Sequence, residues 1–177
     1  MRFLRATHLV ILCRSKAEAE AILIDIQEWT KANGLTLHPD KTHIGNCSEK
    51  DQGFEFLGYR FEAGKRWVRK KSLKALRDRI RTRTKRTRGA NIHHIIDDMN
   101  PMLRGWFGYF KHANPYVFKS VDGFIRRRLR AILRKQKKRP GFGHCLADHK
   151  RWSNAFFAER GLFTMSEAHA LACQSRC

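Results

Sequence analysis

Residues 91–110, NIHHIIDDMNPMLRGWFGYF, decide how the second half of this chain folds. Ile92, Ile95, Ile96, Met99, Leu103, Trp106 and Phe110 recur along one side of a helix of 3.6 residues per turn. A helix with such a stripe has to bury it against other elements. Pro101 falls inside the pattern. It has no amide proton and its ring crowds the preceding turn, so the sequence predicts a kink there or a split into two helices.

Similar patterns lie on both sides. Ser72 is placed to cap a helix bearing Leu73, Leu76 and Ile80 that ends near Gly89. Val117, Phe118, Val121, Phe124, Ile125, Leu129 and Ile132 mark another before Pro140-Gly141. Three amphipathic helices of this length predict a small bundle. Beyond Gly143, residues 146–157 and 166–173 are short helical candidates.

The first third reads differently. Residues 8–13 form an apolar run fit for a strand buried on both faces, with only a few residues before it. Ser15-Lys16-Ala17-Glu18 is a capping box. It opens a helix whose apolar face is Ala19, Ile22, Leu23, Ile26 and Trp29, closed by Asn33-Gly34. Residues 35–38 and 41–44 read as strand pieces around Pro39-Asp40. Residues 54–61 read as a strand with a close backbone approach at Gly58, and Gly64 turns the chain into a further strand at 66–69. The expected order is β-α-β-β-β, followed by helices: an α+β chain.

Charge locates the function. The 177 residues hold 37 Lys and Arg against 16 Asp and Glu, a net charge of +21. Residues 1–64 carry −1, residues 65–139 carry +21 from 25 basic and 4 acidic groups, and residues 140–177 carry +1. Such an imbalance disfavours an ordinary metabolic enzyme and points to a polyanionic partner. With 42% hydrophobic residues the chain is not a disordered basic tail.

The five cysteines, odd in number and widely spaced, suit free thiols in a reducing compartment. His144, Cys145 and His149, with Cys173 or Cys177, invite a zinc reading, but no CxxC pair occurs and no metal is expected. The Asp97-Asp98 pair reads as a solvated helix face rather than a catalytic one. The apolar run at 9–12 is too short for a secretory leader and is followed by Arg14 and Lys16. No segment is long enough to span a bilayer, so the expectation is a soluble cytoplasmic protein without a membrane partner.

Five stretches carry a resemblance: LVILCRSKAEAE (9–20), NGLTLHPDKTHI (33–44), GFEFLGYRF (53–61), NPMLRGWFGYF (100–110) and RWSNAFFAERGLF (151–163). In order and spacing they resemble the C-terminal portion of a group II intron reverse transcriptase/maturase. The resemblance implies that residues 1–64 are a partial polymerase palm, 65–140 a maturase-specific thumb or X domain, and 141–177 a C-terminal extension. It also implies that Phe56, Leu57, Gly58 and Tyr59 form a primer-grip-like segment.

One departure stands out. The family's Tyr-Ala-Asp-Asp hairpin falls on Arg5, Ala6, Thr7 and His8, so Thr7 and His8 occupy the aspartate positions. The fingers and earlier palm strand would also lie before this chain. Two Mg²⁺ ions need clustered carboxylates, which a hydroxyl and an imidazole do not replace. Mg²⁺ is therefore expected only in an intact family member, and no cofactor and no catalysis are expected of this chain alone.

The expected function is binding of structured RNA, in particular group II intron RNA, for splicing. The choice of RNA over DNA rests on the resemblance. The alternatives are the C-terminal piece of a split RNA-directed DNA polymerase completed by a separate fingers/palm chain, and a decayed fragment without a selected role. Self-association through the uncovered strand at 8–13 is a further expectation.

The candidate RNA-binding residues form two basic runs. The first holds Lys65, Arg66, Arg69, Lys70, Lys71, Lys74, Arg77 and Arg81, with Trp67 as a stacking residue. The second holds Arg126, Arg127, Arg130, Arg134, Lys137 and Lys138, in a run that also contains Arg128, Lys135 and Arg139. Arg126, Arg130 and Arg134 fall on one line of the helix, a spacing that could follow a phosphate backbone. Tyr109 and Phe107, off the apolar stripe, are the better base-stacking candidates; Trp106 and Phe110 read as core.

Overall fold

The computed structural model describes residues 9–39, 42, 44–46, 48–49 and 53–174. The chain is α+β and divides into two units, Met1–Gly64 and Lys65–Cys177. Seven helices and three short strands occur among the described residues.

In the first unit the capping box forms as expected. The Ser15 hydroxyl accepts from the Glu18 amide (3.2 Å), and the Glu18 carboxylate accepts from the Arg14 amide (2.8 Å). Helix α1 spans Lys16–Ala32 and ends at Asn33, with Gly34 at φ 67°. It buries none of its residues, and Trp29 is 61% exposed.

Two strand expectations fail. Residues 9–13 form no strand and hold Leu9, Val10, Ile11 and Leu12 exposed, and residues 35–38 form none either. A strand exists through a paired neighbour, and an apolar run does not supply one. The expected single strand at 54–61 is instead a tight hairpin: β1 (Phe54–Phe56) pairs antiparallel with β2 (Tyr59–Glu62), Phe54 opposite Phe61. Leu57 (φ 47°) and Gly58 (φ 81°) form its two-residue turn, and the Phe54 and Phe61 rings stack at 5.0 Å. The close backbone approach is at Gly53, where a Cβ would lie 2.4 Å from the Phe61 carbonyl oxygen. The candidate segment Phe56–Tyr59 is thus the tip of a hairpin, with Leu57 exposed. Ala63 and Gly64, both at positive φ, make the turn between β2 and the strand that opens the second unit.

That unit begins with β3 (Lys65–Val68), close to the strand expected at 66–69. It continues with α2 (Lys70–Arg83), α3 (Ile92–Phe110), α4 (Pro115–Gln136), α5 (Leu146–Arg151), α6 (Asn154–Ala158) and α7 (Met165–Gln174). Helix α2 starts after Arg69, which makes no side-chain capping bond, rather than at a Ser72 cap. It stops at Arg83, short of Gly89, because the fully buried Thr84 turns its hydroxyl back onto the Ile80 carbonyl (2.6 Å). Helix α3 begins at the Asn91 cap and runs unbroken through Pro101. Pro101 and Asp97, whose carbonyl loses its amide partner, both lie on the exposed side, where water can serve that oxygen.

The core is the meeting of the apolar stripes: Leu76 and Ile80 of α2, Ile95, Ile96, Met99 and Leu103 of α3, and Phe118, Val121, Ile125 and Leu129 of α4. Helix α2 packs on α3 and α4, and α7 packs on the same two helices. The bundle therefore gains a fourth helix from the tail. Its N-terminus is held by the buried Asp122 carboxylate, which accepts from the amides of Met165 (3.1 Å) and Ser166 (2.9 Å) and from the Ser166 hydroxyl (2.7 Å). Asn100 fixes the approach to α7, donating to the Gly161 carbonyl (2.8 Å) and accepting from the Phe163 amide (2.9 Å).

Candidate nucleic-acid interface

Helices α2 and α4 carry 14 of the 25 basic residues of segment 65–139. Along α2 the apolar stripe fixes the rotation, leaving Lys70, Lys71, Lys74 and Arg81 exposed and Arg77 half-buried. Lys65, Arg66 and Arg69, just before it, are exposed, and Trp67 is half-buried. On α4, Arg127 is exposed and Arg126 and Arg128 are half-buried, while Lys137 and Lys138 lie exposed past the helix end.

The α2–α4 seam gathers four guanidiniums around one ring. The Cζ atoms of Arg77, Arg81, Arg127 and Arg128 lie 6.0, 5.5, 5.3 and 6.0 Å from the centre of Phe124. The ring attracts them through its quadrupole. Arg128 is tied down by donating to the Thr84 hydroxyl (2.5 Å) and carbonyl (2.9 Å). Burial, followed by the neighbouring charges of Arg81 and Arg127, pulls the Arg128 pKa below its usual value. The sequence reading placed Phe124 in the core and counted Arg128 only as part of the second basic run. The spacing Ser120–Phe124–Arg128, opposite Arg77–Arg81–Thr84, was the available signal.

Two candidates are corrected. Arg130 is 3% exposed: it donates to the Trp152 carbonyl (2.8 Å) and the Asn154 side chain (3.2 Å), against the Phe157 ring. Arg134 pairs with the buried Asp148 (2.6 Å), contacts the Cys145 sulfur (3.3 Å) and donates to the Pro140 carbonyl. The line Arg126–Arg130–Arg134 is therefore no continuous phosphate track, because α5 and α6 fold back onto that face of α4. These arginines anchor the tail.

The carboxylates of residues 65–139 are largely committed inside the protein. Asp78 pairs with Arg81 and Asp122 holds α7. Asp98 accepts from Arg88 (2.7 Å) and lies 3.8 Å from Arg83, and the Arg88 hydrogen bond holds its carboxyl below the usual range. Asp97 is exposed, as expected for a solvated face.

Among the aromatics, Phe107 is no free platform, since its ring packs edge-on against Phe118 (5.4 Å) and Phe163 (5.8 Å). Trp106 and Phe110 pack together at 4.7 Å. Tyr109 is 54% exposed and lines a groove of about 660 Å³ between α2 and α3, with Arg79, Arg83, Met102 and Trp106.

Thr7 and His8 lie outside the described residues. A hydroxyl and an imidazole do not make the carboxylate pair that two Mg²⁺ ions need, so no step is assigned to that metal. Among the described residues no group of three or more His, Cys, Asp or Glu side chains could hold a metal ion. No described helix is long and apolar enough to cross a membrane.

A model of the group II intron, maturase-specific domain matches residues 73–152. No curated protein matches the chain. The matched segment runs from the first turns of α2 to the residue after α5, and so contains the Phe124 arginines and the Arg134–Asp148 pair. The resemblance read in the sequence is therefore matched over this segment: residues 73–152 are similar to the maturase-specific domain of group II intron proteins.

Proposed function

We propose that this chain binds structured group II intron RNA and stabilises its folded form while the RNA performs the splicing chemistry. The observation that carries the reading is unopposed charge on the matched helices. Residues 65–139 hold 25 basic groups against 4 acidic ones, and Asp78, Asp98 and Asp122 are all engaged by internal partners. Such a surface repels itself until phosphates neutralise it, and release of condensed counterions drives the association. Residues 65–140 act as the thumb or X domain in this reading, and residues 1–64 are a partial palm that does not polymerise, since Thr7 and His8 stand at the aspartate positions. Titrating the chain against structured intron RNA at several salt concentrations, with a primer-extension assay alongside, tests it. The expected result is salt-steep binding without extension.

A second reading is favoured by α1. Its apolar face buries no residue fully and leaves Trp29 exposed, and residues 9–12 are exposed as well. A separate fingers/palm chain would cover that surface and complete a split polymerase. Primer extension restored by adding such a chain would establish this reading; a chain that self-associates and never extends a primer would exclude it.

A further inference from the structure

We propose that Arg77, Arg81 and Arg127, arranged around Phe124, form a discrete phosphate-binding site rather than a stretch of diffuse positive surface. The proposal rests on the RNA-binding reading for its natural ligand, an RNA backbone phosphate, and on the seam's own geometry for the site.

Four guanidinium carbons within 6.0 Å of one ring centre gather like charges in one place, and the charges of Arg81 and Arg127 act on Arg128. Asp78 offsets one of the four through Arg81. The ring orients the guanidiniums without neutralising them. Arg128 is the fixed post, its donors directed at Thr84 and at the Arg81 carbonyl (3.4 Å). Arg77 reaches Ser120 with one terminal nitrogen (3.2 Å), and its buried Nε has no hydrogen-bond partner. Arg127 makes no hydrogen bond or ion pair among the described residues; its contact is with the Phe124 ring. Two adjacent elements thus present planar N–H forks around one point, with Ser120 at the margin. Phosphoryl oxygens accept from such forks in bidentate fashion, which a lysine cluster would not reproduce. One bound phosphate would accept from the exposed Arg127 fork and relieve the repulsion.

The test uses the full chain and two probes. The first is inorganic phosphate against chloride at matched ionic strength, read by thermal unfolding; ligand that binds only the folded state raises the midpoint. The second is structured intron RNA, read as affinity against salt. Arg127→Gln is compared with Lys150→Gln, which removes the same charge from the exposed side of α5. The expected result is a phosphate-specific rise in midpoint in the wild type and in Lys150→Gln, absent in Arg127→Gln, together with a salt slope about one unit shallower in Arg127→Gln. Arg127→Lys, which keeps the charge and loses the fork, retains the RNA salt slope and loses the preference for phosphate over chloride. Indistinguishable behaviour of Arg127→Gln and Lys150→Gln with both probes would overturn the site. Phosphate stabilisation that depends on Arg127 in a chain that binds no RNA would support the site and overturn the RNA reading.

Discussion

Asp122 of α4 and Ser166 of α7 are joined by two hydrogen bonds, 2.9 Å from the amide and 2.7 Å from the hydroxyl, and this contact makes the tail part of the bundle. The carboxylate is 3% exposed, and it takes up the N–H groups that open α7. Replacing it by Ala leaves those donors buried and unpaired, at a cost of about 1–3 kcal/mol each before relaxation. Asp122→Ala should therefore lower the unfolding free energy by roughly 2–4 kcal/mol. Asp97→Asn, on the exposed side of α3, should stay within about 0.5 kcal/mol of wild type. Chemical denaturation of the two variants checks the contrast.

The arginines of α4 should separate into two classes. Arg130→Met leaves the Trp152 carbonyl without its donor, so it should destabilise the fold by about 2 kcal/mol and leave the salt slope of RNA binding nearly unchanged. Arg127→Met should do the reverse. Denaturation midpoints and salt-dependent RNA titrations on the same pair of variants report both classes.

Acid should weaken the second unit through Asp98 and Asp148. Burial pushes the Asp148 carboxyl up, but hydrogen bonds from Cys145 and Arg134 outweigh it and leave the pKa below the usual value. Asp98 is held down chiefly by the hydrogen bond from Arg88. A carboxyl that binds its proton less readily when folded stabilises the fold above its unfolded pKa of about 3.9. That stability disappears as pH falls through the lowered folded value. Denaturation midpoints should therefore be flat near neutrality and drop below about pH 4. Asp148→Asn should start lower at neutral pH and show a shallower acid decline.

Two glycine-to-alanine changes should have opposite signs. At Gly53 the new methyl group would collide with the Phe61 carbonyl and the Glu62 side chain, loosening the β1–β2 hairpin. At Gly105, inside α3, nothing lies within 4 Å, and removing a helical glycine should add about 0.5–1 kcal/mol. Hydrogen exchange at the Phe54–Phe61 pair reports the first and global unfolding the second.

The helices were legible because one repeated decision, apolar or polar every three to four residues, fixes both their existence and their buried face. Helix α3 keeps that face through Pro101, and the Ser15 and Asn91 caps stand where short polar side chains precede an apolar pattern. The strands were not legible in the same way. Residues 9–13 have the composition of a strand and no paired neighbour, while Leu57-Gly58 bends what read as one strand into two. At the candidate interface, charge counting located the basic helices but not the direction of each side chain. Arg130 and Arg134 turn inward because partners 11 to 24 residues later fold back onto α4, and local spacing carries no trace of that return.

In the proposed function, the basic face of α2 and α4 holds RNA by its phosphates. The most direct measure of this is the affinity of the full chain for structured intron RNA between about 50 and 200 mM salt. If the face makes about six to ten phosphate contacts, that affinity should fall by roughly 10³ to 10⁵, with a linear log–log dependence. Affinity that stays level across that range, or no RNA binding at the lowest salt, would contradict it.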